Sequence, residues 1–583
     1  MLKKYLARLD PNIWLVLAFS IFAWAPLLTP AYFFEAHDAR HSVFFLVEFD
    51  QTFRDGYWWP RWSPDFAFGY GYPLFNLYPA LAFYAAELLH LVGFSFTAAI
   101  KTMYGLATIA AGLGMYGLVK SLFGPRAGLL AAIVYMYAPF HLVEIYVRSA
   151  YAEFLALAII PYLFWAFTEL AAAPSPRRIA LAGLAYGLLA LTHHTSFLAF
   201  TPLLLLYLLY WLPAQSSRQW GSFLRRAAAS LAAGLLGLAL AAIYLGPMLL
   251  ETRYVKVEQW TSGSYNYLQH FVYFAQLFAP TWGYGYAGPG LLDDLSFQLG
   301  IVVIALTCFA LVNLVIRPFR RRGAAMFFLA ATLIVIWLMS PLAESIWQVI
   351  PIAALVQFPW RLLGMTAFTM SIVAGSLLSQ TESGEETTAL VPTSPIPNRL
   401  SPAPLYLLAL VVILASFPYT LPQYTDVPAW AETPLAVINW DRASIVDRVG
   451  MMAVTQEQPR TSPLETQYLN GEPLMVAGIV AGEGRVVTLH RGGSSAKTGV
   501  VASTPVTVQF YTYDYPGWRV ELKGRPLQHR AELPYGLITV DLPPGEHLLH
   551  LWMGSTPPRT YGAISSGLAL LVLVSLYFWP HKR

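Results

Sequence analysis

Charge is scarce in this sequence, and cysteine is almost absent. Only 12% of the 583 residues are charged, against roughly 25% in soluble domains. The single cysteine, Cys308, excludes an intramolecular disulfide and a cysteine-based zinc site. No P-loop, HExxH or GxSxG motif occurs in the predicted outer loops. These absences exclude nucleotide-driven and zinc-protease chemistry, and nothing in the charge pattern indicates nucleic-acid binding.

Long apolar runs are what the sequence has instead. Hydrophobic residues make up 57% of the chain and the mean hydropathy is +0.52. Runs of about twenty apolar residues match the thickness of a bilayer, so the chain is predicted to be a multi-pass membrane protein. The first run is predicted to be a retained signal-anchor. About twelve spans are predicted, at 12–32, 98–121, 127–146, 150–170, 179–193, 196–212, 227–249, 298–316, 324–340, 362–380, 403–420 and 561–579.

Basic clusters lie on one side of this layout, which predicts that this side and both chain termini are cytoplasmic. The ambiguous segment is 73–95, "PLFNLYPALAFYAAELLHLVGF". If it crossed the bilayer, every later basic cluster would move to the outer side. We therefore expect 73–95 to lie along, or dip into, the outer interface. The clusters comprise Lys3/Lys4, Lys120 with Arg126, Arg177/Arg178, Arg218 with Arg225/Arg226, Arg317 with Arg320–Arg322, and the final His-Lys-Arg.

The predicted fold class is an α-helical polytopic membrane protein with juxtamembrane helices in its first outer loop and a C-terminal extracytoplasmic β-rich domain before the last span. Runs such as "TPVTVQFYTY" and "GLITVDL", separated by Gly and Pro, favour antiparallel strands. The predicted divisions are a transmembrane domain 1–420, a β-rich domain 421–560, and a final span with a short tail 561–583. Within the first lie outer loops 33–97 and 250–297 and a Pro-rich inner linker 381–402.

The stretch "FEAHDARH", residues 34–41, follows the first span directly and carries Glu35, His37 and Asp38. Charged residues commonly flank spans, so simple solvation at the interface is one interpretation. The other is a reaction centre, since the following loop, "DGYWWPRWSPDFAFGYGYPLFNLYP", is too apolar to stay free in water. That loop could roof a cavity and stack its rings on a sugar, or it could form an ordinary aromatic belt.

Further charged residues lie at the ends of later spans on the same predicted side. In "YVRSAYAEF", Arg148 and Glu153 lie where two spans meet. A charge at the bilayer centre costs about 2.5–3.5 kcal/mol on insertion scales, so such residues need a partner or a cavity. Arg148 could pair with Glu153 or Glu144 to cap a helical hairpin, or it could hold an anionic headgroup. Arg361, in "QFPWR", could likewise hold a phosphate or contact ordinary lipid.

By this layout and its motifs, the chain resembles the GT-C superfamily of integral-membrane glycosyltransferases, which use polyprenyl-phosphate-linked sugars on the outer membrane face. It is most similar to the bacterial branch described as "6-pyruvoyl-tetrahydropterin synthase-related" membrane proteins. The resemblance extends through nearly the whole chain, although each motif is short. The matching stretches are "HDARH", "GYPLFNLYPAL", "LFGPRAGLLAAIVYMYAPF", "RSAYAEFLALAIIPY", "QFPWR" and "YPGWRVELKG…GLITVDLPPGEH".

The resemblance implies an inverting sugar transfer at the outer face of the inner (plasma) membrane of a bacterial cell. Asp38 matches the acidic base, with His37 and Glu153 as further catalytic candidates and Arg148 and Arg361 as donor-phosphate ligands. The implied partners are a polyprenyl-phosphate sugar, membrane lipids and a glycan, lipid or protein acceptor. His-Asp stands where several families have paired carboxylates, which leaves open a divalent cation (Mg or Mn) on Asp38 and Glu153. The implied acceptor or sugar contacts are Glu35, Tyr70, Tyr72, Asn76 and His193.

Two other classes of function stay open at this point. A lipid or polysaccharide transporter usually shows inverted repeats and charges near mid-bilayer, whereas these charges gather at one face. A non-catalytic scaffold or glycan-binding protein fits if the charged elements only cap helices. Geometry separates the alternatives. An enzyme requires Asp38, Glu153 and an arginine around one outer cavity, and a scaffold would direct them separately to solvent or headgroups.

Overall fold

The computed structural model describes residues 10–216, 219–292, 294–316, 319, 321–379, 403–428, 430–443 and 451–580. The predicted linker 381–402 lies outside the described residues. So do the basic residues Lys3, Lys4, Arg218 and Arg317, and the final His-Lys-Arg.

Helices occupy most of the chain up to residue 420, as the apolar runs predict. In the first half they are α1 (Pro11–Trp24), α2 (Ala39–Arg54), α3 (Leu74–Leu77), α4 (Leu81–Leu91), α5 (Phe96–Phe123), α6 (Pro125–Met136), α7 (Pro139–Tyr146), α8 (Tyr151–Ala172), α9 (Pro176–Thr192), α10 (His194–Gln215), α11 (Trp220–Leu240) and α12 (Ala242–Glu251). The later helices are α13 (Phe274–Phe278), α14 (Ile301–Ile316), α15 (Arg322–Met339), α16 (Glu344–Val349), α17 (Leu363–Gly375), α18 (Ala403–Ser416), α19 (Pro434–Ala443), α20 (Pro463–Asn470) and α21 (Pro557–Tyr577).

All twelve predicted spans coincide with helices. Within the described ranges, nine helices are long and apolar enough to cross a membrane, and the pair α6–α7, bent by 42°, makes a tenth. The other two predicted spans fall on α9 and α14, which have 17 and 16 residues. The break between α6 and α7 precedes Pro139, which begins α7 because proline suits the first turn of a helix.

The segment 73–95 contains only the short helices α3 and α4. At 1.5 Å per residue, the 11 residues of α4 extend about 16 Å, roughly half of the 30 Å hydrocarbon core. The segment is therefore too short in helix to span, and its position at the outer interface stays a prediction.

Helices α9 and α11 approach each other closely through small residues. Gly183 and Gly187 lie one turn apart on α9 and face Ala233 and Gly237 on α11. A Cβ added at Gly237 would lie 2.7 Å from the carbonyl oxygen of Gly183. Since lipid provides no hydrophobic drive for association, spans pair through such close backbone packing.

The C-terminal region forms two antiparallel sheets that pack face to face. One has the strand order β1-β4-β8-β7 and the other β2-β3-β9-β5-β6. Alternate residues of β4, such as Val508 and Phe510, are buried between the sheets, as period-2 burial requires. The strands are β1 (Ala477–Ala481), β2 (Gly484–Arg491), β3 (Ser495–Ala502), β4 (Val506–Tyr513), β5 (Trp518–Leu522), β6 (Arg525–Leu527), β7 (Arg530–Glu532), β8 (Leu537–Leu542) and β9 (Gly545–Met553). The strands thus begin about fifty residues into the predicted β-rich domain, after α19 and α20.

The sandwich covers the aromatic part of the first outer loop. Trp62 is buried against Trp518, with ring centroids 5.2 Å apart. Asp65, which is fully buried, accepts a hydrogen bond of 2.7 Å from the Arg491 guanidinium and one of 2.5 Å from the Tyr468 hydroxyl. The loop therefore buries Trp62 and Tyr70 in protein, although Trp58 stays 66% exposed, because the sandwich supplies an apolar partner that the sequence could not place.

A buried ion pair joins this contact to the membrane helices. The Arg559 guanidinium, at the start of α21, donates two hydrogen bonds to Glu251 Oε2 at 3.0 and 2.9 Å. Both side chains are 3% exposed. The Asn76 amide donates to the same Glu251 oxygen at 2.7 Å and to the Tyr515 hydroxyl at 2.9 Å. The first loop, the end of α12, the sandwich and the last span therefore meet at one buried carboxylate.

The close pairing of α9 and α11 generates a stability prediction. Gly237→Val places a side chain against the α9 backbone, and overpacking of this kind costs about 1–3 kcal/mol. Gly234→Val on the same helix is the matched control, because a Cβ there meets nothing within 4 Å. We expect a lower thermal unfolding midpoint for Gly237→Val alone, measured by scanning fluorimetry in detergent. Equal shifts in the two variants would attribute the effect to the β-branched residue and not to the helix contact.

Candidate active site

Asp38 lies between α1 and α2, at the residue that precedes the first turn of α2. Its backbone N–H donates to the carbonyl oxygen of Arg148 at 2.6 Å, and the N–H of His37 donates to that of Val147 at 3.3 Å. The Asp38 side chain stays 41% exposed. The "HDARH" segment is therefore joined by its backbone to the junction between α7 and α8, while its carboxylate remains accessible.

The α7–α8 junction is a tightly held turn. Ser149 has φ +52°, in the left-handed region that costs a non-glycine residue about 1 kcal/mol or more. Its hydroxyl lies 2.8 Å from the Tyr32 hydroxyl and 3.2 Å from that of Tyr104. Its carbonyl accepts from the Ser42 hydroxyl at 3.1 Å. These bonds fix the turn and so fix the direction of Arg148 beside it.

Arg148 lies at the centre of a buried charge cluster. Its side chain is 3% exposed and hydrogen-bonds Glu144, one helical turn earlier, and Glu153 Oε2 at 3.0 Å. Its Nη2 lies 3.7 Å from Asp38 Oδ2. The Trp360 ring lies under the guanidinium, 4.6 Å from its centroid. Buried charges persist only when they are paired, so these carboxylates hold Arg148 in place and Arg148 holds them.

Arg361 approaches the same cluster from the segment before α17. Its Nε lies 3.4 Å from Glu153 Oε2. Its Nη1 donates at 3.0 Å to both the Val356 carbonyl and the Gln357 side chain. The Arg361 side chain is 14% exposed, and its buried Nε forms no hydrogen bond within the described part of the chain. Of the two arginines, Arg361 is therefore the more exposed and the less fully paired.

The structure thus brings together Asp38, Glu153 and two arginines, the residues that the enzyme hypothesis places around one outer cavity. The same contacts include the pairing of Arg148 with Glu144 and Glu153 that also fits a helix-capping role. Two guanidinium groups face three carboxylates, so the positive charge of Arg148 is already neutralised by carboxylates of the protein itself. This distribution reduces the predicted role of Arg148 as a phosphate ligand and favours a positioning role.

His37 points away from Asp38, toward the middle outer loop. Its Nε2 lies 3.3 Å from the Tyr284 carbonyl oxygen, and its ring stacks on Tyr286 with centroids 4.1 Å apart. Burial lowers the pKa of His37, and the negative charge of Asp38 offsets only part of that effect. His37 is therefore neutral at pH 7 and donates to a backbone carbonyl. Proton sharing between His37 and Asp38 has no support in this geometry.

The predicted acceptor contacts fall into three groups. Glu35 is near Asp38 and pairs with Arg40. His193 is 4% exposed, bonds the Ser196 hydroxyl at 2.9 Å, and lies close enough to Glu153 to interact electrostatically. The third group packs beneath the sandwich and not around Asp38. It contains Tyr70, which lies against Tyr513 and Tyr535, Tyr72, which packs among the sandwich core residues, and the fully buried Asn76.

In this structure protein groups contact the Tyr70 ring and the Asn76 side chain, and their contact with a sugar stays a prediction. The apolar rings of Tyr70 and Tyr72 are removed from water by packing against the sandwich. The residues that the sequence did not single out around the site are Trp360, Gln357, His41, Tyr286 and Trp440. The glycine–tyrosine alternation "GYGY" before residue 287 is the one local signal that could have indicated Tyr286.

The donor set does not fit a divalent cation bridging Asp38 and Glu153. Arg148 lies between the two carboxylates, 3.7 Å from Asp38 and 3.0 Å from Glu153, and fills the place such an ion would need. Across the described residues, no group of three or more His, Cys, Asp or Glu side chains has metal-binding geometry.

Comparison with solved structures finds distant similarity to membrane glycosyltransferases. Arabinofuranosyltransferase AftD from Mycobacteria is 15% identical with a TM-score of 0.42, over 72% of this chain and 28% of that one. ArnT from Cupriavidus metallidurans, bound to undecaprenyl phosphate, is 14% identical with a TM-score of 0.40, over 68% and 62%. The Archaeoglobus fulgidus oligosaccharyltransferase is 12% identical with a TM-score of 0.38, over 75% and 58%. TM-scores below 0.5 establish neither a shared activity nor a shared substrate.

Comparison of the sequence with protein-family models assigns the chain to a family. No curated protein matches the chain significantly. A family model described as "6-pyruvoyl-tetrahydropterin synthase related domain; membrane protein" matches residues 75–418, which is more than half of the chain and includes Arg148, Glu153 and Arg361. The chain therefore belongs to the 6-pyruvoyl-tetrahydropterin synthase-related family of membrane proteins.

Proposed function

We propose that this protein is a GT-C-type glycosyltransferase that moves a sugar from a polyprenyl-phosphate donor to an acceptor hydroxyl. The observation that carries the proposal is the exposed Asp38 carboxylate beside a buried cluster of two arginines and two glutamates. All of these residues lie at or beside helix ends, where a lipid-linked substrate could present its headgroup. The apolar spans below would hold the polyprenyl chain.

The proposed reaction is a single displacement. The acceptor hydroxyl loses its proton to Asp38 as its oxygen attacks the anomeric carbon, a role worth about 10²–10⁴ in rate for a positioned base. The bond between the anomeric carbon and the phosphate oxygen breaks, and polyprenyl phosphate leaves with the electron pair. Attack from the far side inverts the anomeric configuration. Since the base and the leaving group lie on opposite sides, separate residues must serve them.

Arg361 is the proposed partner of the leaving phosphate. Its guanidinium is partly exposed and is oriented by Glu153, Val356 and Gln357, and a fixed cation stabilises the charge that develops on a phosphate oxygen. Arg148 is the proposed positioning residue, because its guanidinium neutralises Glu144 and Glu153 and lies against Asp38. Glu153 would then orient both arginines.

The proposed location is the inner membrane of a bacterial cell, with both termini cytoplasmic and the site on the outer face. The clustering of the α1–α2, α7–α8 and α9–α10 junctions with the start of α17 supports this layout, since these helix ends must share one side. The acceptor in this proposal is a glycan, lipid or protein hydroxyl, and the sandwich roofs the first outer loop.

Asp38→Asn tests the base directly. We expect wild-type protein to release polyprenyl phosphate from at least one donor in a panel of polyprenyl-phosphate sugars, and the variant to release it at least about a hundredfold more slowly. Mass spectrometry of the lipid products is the measurement. Glu344→Gln, an exposed carboxylate paired only with Gln348 in the described chain, is the control. No release from folded wild-type protein with any donor would instead favour a scaffold or a transporter.

Substitution of the two arginines is expected to affect different properties, donor binding for Arg361 and stability for Arg148. Arg361→Gln should fold and raise the KM for donor by about tenfold or more, the scale of one lost charged hydrogen bond. Arg148→Gln removes the ion-pair partner of the buried Glu144 and leaves Glu153 with Arg361 alone. Breaking a buried pair in this way costs about 3–5 kcal/mol, so its main defect should be a low thermal unfolding midpoint. Arg253→Gln, on the exposed start of the middle loop, is the matched control. A stable Arg148→Gln with a raised donor KM would return Arg148 to the phosphate-binding role.

A further inference from the structure

The middle outer loop reaches the Asp38 site through a segment with a fixed conformation. A Cβ added at Gly283 would lie 2.0 Å from the carbonyl oxygen of Asp294, and one at Gly285 would lie 2.3 Å from the Asp294 Cβ. The Gly285 N–H donates to that carbonyl at 3.1 Å, and Tyr284 forms an antiparallel bridge with Leu295. Glycine is therefore required twice, and the close approach fixes where the loop presents its next side chain.

That next side chain is Tyr286. Its ring stacks on His37, with centroids 4.1 Å apart and planes 17° from parallel. Tyr286 is nevertheless 68% exposed. Tyr286 is therefore an exposed aromatic ring that is oriented by a stacking contact. It stacks on the residue that directly precedes Asp38, the proposed base.

A second ring lies on the other histidine of "HDARH". His41 Nδ1 is 3.9 Å from Asp38 Oδ1, and the His41 ring meets Trp440 edge-on with centroids 5.1 Å apart. The Arg40 guanidinium lies 5.2 Å above the Trp440 ring and pairs with Glu35. His37 and His41 therefore each contact an aromatic ring. The Arg40 guanidinium and the Glu35 carboxylate lie on the Trp440 side.

This combination matches the surface of a saccharide. A sugar ring has a face of C–H groups, which packs on the electron-rich face of an aromatic ring, and an edge of hydroxyls, which bonds charged side chains. A lipid acceptor would need apolar side chains in place of Arg40 and Glu35. A peptide acceptor that bound as an added strand would need a free backbone edge, and Tyr284 already uses its edge to pair with Leu295.

We propose that Tyr286, held on His37, and Trp440, held on His41, form the acceptor subsite, and that the acceptor is a saccharide hydroxyl placed over Asp38. This inference rests on the proposed function and narrows it, since it selects a glycan among the three acceptor classes. Tyr286 would stack on the acceptor ring, while Arg40 and Glu35 would bond its hydroxyls. The "HDARH" segment would then place the base and hold both rings of the subsite.

The first test measures binding without any donor. Saturation-transfer NMR on the full-length protein in nanodiscs would use the methyl glycosides of common hexoses and pentoses as probes. We expect signals from ring C–H protons with wild-type protein, and signals about tenfold weaker with Tyr286→Ala, the scale of one lost stacking ring. Tyr286→Phe keeps the ring face and should retain the signal. Tyr273→Ala, a partly exposed tyrosine that precedes α13 in the same loop, is the matched control.

The second test uses transfer kinetics with a saccharide acceptor. Tyr286→Ala and Trp440→Leu should each raise the KM for acceptor about tenfold, with a smaller effect on the KM for donor. Absence of any saccharide signal from wild-type protein, an unchanged signal from Tyr286→Ala, or transfer only to lipid or peptide hydroxyls would overturn the subsite. Saccharide binding that depends on Tyr286 but is accompanied by no transfer would sustain the subsite and contradict the proposed function.

Discussion

The charge of Arg148 is the constraint on which the site depends. A guanidinium that is 3% exposed at the end of a membrane helix must be neutralised, and Glu144 and Glu153 do this from the two helices that meet at its turn. Asp38 joins the cluster through its backbone bond to the Arg148 carbonyl and through its side chain, 3.7 Å away. The first outer loop is thereby attached to the third and fourth spans, and the carboxylate proposed as the base is positioned by a structural requirement.

A second attachment buries the part of the aromatic loop around Trp62 beneath the sandwich, while Tyr78 of the same loop lies against His193 and His194 at the site. Glu251 receives bonds from Arg559 and from Asn76, and the sandwich closes over Trp62 and its neighbours. A loop this apolar would otherwise lie in the membrane interface. Burying it leaves the region around Asp38 to be shaped by other residues, chiefly the middle loop with Tyr286.

The sequence indicated the parts of the site that obey local rules. Asp38, Arg148, Glu153 and Arg361 are charged residues at span ends, and membrane energetics make such residues conspicuous without any knowledge of the fold. The spans themselves followed from hydropathy. The strands of the sandwich followed from alternation, although their start at Ala477 did not.

What the sequence could not supply are contacts between distant segments. Tyr70 and Asn76 were predicted to contact a sugar as part of the aromatic loop, but each has a partner more than four hundred residues later, in the sandwich. Tyr286 was passed over for the opposite reason, since nothing local shows that its loop folds back onto His37. Hydropathy and motif arguments register composition along the chain and carry no information on which loops meet.

The account is tested most directly by a cryo-EM structure of the full-length protein in nanodiscs with undecaprenyl phosphate. We predict phosphate density within hydrogen-bonding distance of the Arg361 guanidinium, next to Asp38, while Arg148 keeps its bonds to Glu144 and Glu153. Phosphate bound elsewhere, with Arg361 still held by Gln357 and the cluster unchanged, would contradict the claim that this buried charge cluster is the reaction centre of a lipid-dependent enzyme.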